Sequence, residues 1–126
     1  MARQHRILVL ATVVALCAGA ASAQAASATG RGNRLAYEAA MKCYVANGAA
    51  YGERADAGDD EAAARYERAA RKSFDTAVKL GGVLGFSGSR IDQDFGLATA
   101  RELPKLVADQ AYSRQALAVC RAIGLM

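Results

Sequence analysis

The chain has 126 residues, one proline, no tryptophan and a formal charge of +4. That length accommodates a single small domain rather than several. Abundant alanine and the near-absence of β-branched runs favour helices strongly over strands. A charge this close to balance, without Lys/Arg clustered among aromatics, points away from nucleic acid as a partner.

The opening, MARQHRILVLATVVALCAGAASAQA, carries Arg3 and Arg6, an apolar run from Ile7 to about Ala21, and Ala21-Ser22-Ala23 before Gln24. This is the three-part pattern of a secretory signal peptide, so residues 1–23 are expected to be removed. The apolar run is shorter than the roughly 20 residues a membrane-spanning helix needs. Cys17 follows Leu16, where a lipidation site would want a small residue, and is assigned to the discarded segment. Cleavage takes away the only histidine, His5, leaves two cysteines, Cys43 and Cys120, and lowers the formal charge to +2. The expected location is periplasmic or secreted.

Residues 24–32, QAASATGRG, read as a flexible leader to a helical domain over 33–126. Asn33 is the expected cap of a first helix over about 34–57. Its stripe is Tyr37, Ala40, Met41, Tyr44, Gly48, Tyr51 and Ala55, with Cys43 at the edge and Glu38, Lys42, Glu53 and Asp56 opposite. Tyrosines seven residues apart form a packing face. Asn47-Gly48 weakens the helix locally, and Gly48 is a candidate point of close approach.

Gly58 followed by Asp59, Asp60 and Glu61 ends one helix and begins the next. The second helix, about 60–80, buries Ala62, Ala63, Tyr66, Ala69, Ala70, Phe74 and Ala77. Its other side carries Arg65, Glu67, Arg68, Arg71, Lys72, Asp75 and Lys79. Glu61 with Arg65, Glu67 with Arg71 and Asp75 with Lys79 each set an acid four residues before a base. The simplest reading of these charges is a solvated face. Arg65, Arg68, Lys72 and Lys79 nevertheless form a basic ridge, the candidate surface for an acidic partner.

The glycines of GGVLGFSGS, residues 81–89, make a mobile connection whose Val83, Leu84 and Phe86 fold back onto the core. Ser89 with Asp92 is the expected cap of a third helix over about 90–103, buried along Ile91, Phe95 and Ala98. Pro104 should end or kink it. The last helical region, about 104–123 with a break near Asp109, has Ser113, Ala116, Leu117, Cys120 and Ile123 as its apolar stripe and Gly124 as its stop.

An exported chain with two cysteines is expected to pair them, here Cys43 with Cys120, tying the first helix to the last. Closing so long a loop contributes about 4 kcal/mol in the chain-entropy treatment. A redox pair would want C-x-x-C spacing and a base to activate a thiol, and neither is present.

With His5 removed, the usual base of serine and cysteine catalysis and the commonest zinc ligand are missing. GFSGS lacks the last glycine of a nucleophile elbow, no G-K-[ST] follows the glycines, and Asp59, Asp60 and Glu61 are not spaced as a calcium loop. No metal or other cofactor is called for. The expectation is an all-α bundle of four helices, or five if the break near Asp109 adds one, stapled by one disulfide. The expected role is that of an exported, non-catalytic envelope protein acting through a protein or polymer surface. A small-ligand carrier with Tyr37, Tyr44, Tyr51, Tyr66 and Phe74 around a cavity is the alternative.

Overall fold

The computed structural model describes the backbone of residues 5–126 and the side chains of residues 28–126. Four helices follow one another: α1 (His5–Asp56), α2 (Asp60–Val83), α3 (Gly88–Ala108) and α4 (Gln110–Ala122). Two compact units divide the chain, Met1–Gly32 and Asn33–Met126. The second contains the core. The side chains of the cleavage motif Ala21-Ser22-Ala23 lie outside the described residues.

Residues 24–32, expected as a leader, belong to α1, and Asn33 lies inside that helix instead of capping it. The segment is rich in alanine and has no proline, so no element of the sequence forces a break there.

From Tyr37 to Ala50 only Glu38 is exposed, because neighbours cover α1 on nearly every side. Tyr37, Ala40, Met41, Cys43, Val45, Ala46, Asn47 and Ala50 are all buried. This is a central helix and not the one-sided helix the stripe predicted, and a helix surrounded in this way has no free polar face. Tyr51 and Ala55 lie past the covered stretch and are exposed. The amide nitrogen of Asn47, fully buried, donates to the Leu125 carbonyl at 3.1 Å and holds the last residues against α1.

α2 approaches through small side chains. Ala62, Ala63, Ala69, Ser73, Ala77 and Gly81 are buried, Tyr66 is half-buried, and Phe74 is 39% exposed. Ser73, absent from the expected stripe, sits at its centre and satisfies its hydroxyl on the Ala69 carbonyl at 2.8 Å. Close approach is made at Gly81, not Gly48: a methyl group there would come within 2.7 Å of the Ile91 side chain, whereas Gly48 faces open space.

Three helices end alike. Gly58, Gly85 and Gly124 take positive φ, and the next residue donates back to a carbonyl in the last turn: Asp59 to Arg54, Phe86 to Gly81 and Leu125 to Cys120. This is the Schellman cap, which glycine accommodates without steric cost. Asp59 then accepts from the Ala62 amide and starts α2. The connection after Gly85 is set by hydrogen bonds. Leu84 and Phe86 are half-buried against the core, but Val83 is 67% exposed. The cap of α3 is Ser87, which accepts from Arg90 at 3.1 Å, rather than Ser89.

α3 runs through Pro104 to Ala108. Ala100 and Pro104 are both exposed, so the carbonyl left without a donor faces solvent and the helix survives. Asp109 breaks the chain instead. Its amide closes α3 on the Lys105 carbonyl, and its carboxylate accepts from Tyr112 and opens α4. The break divides α3 from α4, so the bundle has four helices. On α4, Ala116 and Cys120 are buried, Ser113 and Leu117 half-buried, and Ile123 is exposed. Cys43 and Cys120 form the disulfide, with Cα atoms 5.6 Å apart across a sequence separation of 77.

Candidate interaction surfaces

Arg65, Arg68, Lys72 and Lys79 recur at three-, four- and seven-residue steps, which puts them on one side of α2. All four are exposed. Glu61 pairs with Arg65 at 3.0 Å and Glu67 with Arg71 at 2.8 Å. Asp75 and Lys79 do not pair. Among the described residues Arg68, Lys72 and Lys79 have no carboxylate within 4 Å.

Arg121 joins the ridge from α4. It follows Cys120, so the disulfide that fixes α4 also sets its place beside α2. Arg65, Arg68, Lys72 and Arg121 surround a groove of about 450 Å³ with Tyr66 and Met126, and no aspartate or glutamate side chain lines it. Apposed guanidinium and ammonium groups attract carboxylates and phosphates, and arginine's fork can bind either through two hydrogen bonds. The sequence reading missed Arg121. Its one available signal was adjacency to the cysteine expected to bridge to α1.

The aromatic residues fill space. Tyr44 meets Phe95 edge-on at 5.0 Å, Phe74 stacks on Phe95 at 4.8 Å, and Tyr37 meets Phe86 edge-on at 5.3 Å. The Tyr37 hydroxyl donates to Asp94 at 2.9 Å, and Arg90 grips the same carboxylate with its Nε. Burial, then the hydrogen bond and negative charge of Asp94, push the Tyr37 hydroxyl up to about 12. Arg90 also lies over the Phe86 ring, 4.6 Å from its centroid.

A second charged cluster surrounds Glu102, only 4% exposed. Tyr112 donates its hydroxyl to this carboxylate, Arg101 donates at 3.0 Å, and the Lys42 and Lys105 ammonium groups lie at 3.9 and 4.0 Å. Lys42 also sits over the Tyr112 ring, 4.9 Å from its centroid. Burial alone would raise the carboxyl, but the hydrogen bonds and flanking cations outweigh it and hold Glu102 below the usual range. This cluster ties α1, α3 and α4 together.

No protein family, curated protein or solved structure matches the chain. Among the described residues no three of His, Cys, Asp and Glu are grouped to hold a metal ion, and no helix is long and apolar enough to cross a membrane.

Proposed function

We propose that the protein is exported, with residues 1–23 removed, and that it acts without catalysis by docking an acidic protein or polymer of the cell envelope on the basic surface of α2 and α4. The observation that carries this reading is the groove between Arg65, Arg68, Lys72 and Arg121, where four cations meet, no carboxylate side chain lines the groove, and only Arg65 has an acidic partner, Glu61. Export accords with the disulfide, which forms and persists in oxidising compartments. The mutual packing of Tyr37, Tyr44, Phe74, Phe86 and Phe95 favours a surface role over a tyrosine-lined carrier.

The test is recovery of partners from the native envelope by the wild-type protein and by the double variant Arg68→Glu, Lys72→Glu. Docking predicts capture that weakens as salt rises and is lost in the variant, because exposed charges are screened beyond about 8 Å at physiological ionic strength. Equal recovery by both proteins would remove the basic surface. An N-terminus other than Gln24 on protein recovered outside the cytoplasm would remove the cleavage assignment.

A further inference from the structure

Three grooves adjoin the basic surface and share lining residues in sequence. One follows α2 past Arg68, Lys72, Asp75 and Lys79, with a volume of about 440 Å³. The groove between α2 and α4 shares Arg68 and Lys72 with it and adds Tyr66 and Arg121. A third, of about 670 Å³, shares Tyr66 and opens over Ala50, Leu106, Val107 and Leu117. The chemistry changes at the Tyr66 ring. On one side stand Arg68, Lys72, Lys79 and Arg121, which make no ion pair among the described residues, with Arg65 and Arg71 paired to Glu61 and Glu67; on the other is a partly aliphatic floor, with Glu53, Arg54, Asp56 and Arg114 among its lining.

We infer that this trough seats an extended acidic peptide segment carrying one large apolar side chain, its carboxylates along Arg121, Arg68, Lys72 and Lys79 and its apolar residue beyond Tyr66 over the exposed Val107 and half-buried Leu117. The inference rests on the docking surface proposed above and names its occupant. Charge complementarity fixes the acidic part. From Arg65 to Lys79 the helix rises about 21 Å, the reach of six or seven extended residues. A purely anionic polymer would leave the aliphatic floor uncovered. An acyl chain needs nearly complete enclosure, whereas this groove is open and edged with charged groups. Such groups suit a peptide, whose backbone donors and acceptors must find partners wherever water is displaced.

The experiment measures fluorescence anisotropy of the oxidised full domain with labelled peptides of about twelve residues. One alternates glutamate and glycine and carries a leucine at one end, tried at either end. The second replaces leucine with serine, and the third replaces every glutamate with glutamine. The leucine peptide should bind about tenfold more tightly than the serine peptide. The glutamine peptide should lose binding altogether. Val107→Asp, at a position 74% exposed and so expected to leave the fold intact, should bring the leucine peptide down to the level of the serine peptide. Arg68→Glu with Lys72→Glu should abolish binding of both.

Equal affinity for the leucine and serine peptides would overturn the apolar anchor and leave the docking surface standing. Tighter binding of polyphosphate, or of vesicles of phosphatidylglycerol, than of any peptide would overturn the peptide assignment alone. Failure of all these anions to bind would overturn both the occupant and the docking surface.

Discussion

Around Glu102, the cations of Lys42, Arg101 and Lys105 converge on one nearly buried carboxylate that also accepts from the Tyr112 hydroxyl, Arg101 and Lys105 at one oxygen and Lys42 with Tyr112 at the other. Between α2 and α4, Arg65, Arg68, Lys72 and Arg121 converge on open space, and only Arg65 has an acidic partner. The two clusters have similar residues and opposite connections. The first spends its charges within the fold, joining α1, α3 and α4. In the second they contribute little to holding helices together and stay available to something outside. The disulfide stands between the two, since Lys42 precedes Cys43 and Arg121 follows Cys120.

Removing that anchor should have the largest effect. Cys43→Ser with Cys120→Ser should lower unfolding free energy by about 4 kcal/mol in urea titrations and disturb both clusters. A loss below about 1 kcal/mol would mean that packing alone positions them. Next comes Glu102→Ala, which leaves Tyr112 and three cations without their shared partner and should cost about 3 kcal/mol. Glu102→Gln should cost less, because the amide keeps the shape and accepts one hydrogen bond.

The same carboxylate sets an acid dependence. Its folded-state pKa lies below the unfolded value of about 4.3, so its contribution is complete above that value and is lost as pH falls through the folded pKa. Stability measured across the acid range should therefore fall less steeply in Glu102→Gln than in wild type, and parallel curves would break the assignment. The smallest effect belongs to the open cluster. Arg68→Glu with Lys72→Glu should shift unfolding by no more than about 0.5 kcal/mol, since neither side chain makes an ion pair. A larger change would show that these residues hold the fold.

The helix order, the disulfide and the Gly58-Asp59 boundary were legible because each rests on local chemistry: a left-handed glycine, a capping carboxylate, two cysteines. The depth of α1 was not. Alanine is as compatible with burial as with exposure, so a stripe of alanines and tyrosines does not reveal how many neighbours surround it. Pro104 does not end α3, because the penalty of a helical proline depends on whether the orphaned carbonyl meets solvent, which is a tertiary fact. Ser87 and Ser89 are both plausible caps, and the choice is made by where Gly85 ends α2.

Of the candidate site, the α2 ridge could be read from its periodicity, while Arg121 and most of the groove beyond Tyr66 come from other helices. Glu102 left a clue: it shares a face with Ile91, Phe95, Ala98 and Leu106, all buried. A carboxylate in the middle of an apolar stripe calls for partners. Tyr112 is ten residues away and Lys42 lies on α1, so the sequence pattern alone did not name them.

The bond between Cys43 and Cys120 also makes the bundle a ring. All of α2 and α3, both interhelix connections after Gly58 and Gly85, and the break at Asp109 lie inside the span it closes. A protease that cuts once at any of these places opens the ring without releasing a fragment, and the two pieces part company only on reduction. The ridge cations Arg65, Arg68, Lys72 and Lys79 lie inside that ring, whereas Arg121 and Met126 lie on the short tail beyond it. A single clip in the ring leaves both sets in one covalent molecule, while trimming the tail back to Cys120 removes Arg121 and leaves the ring closed.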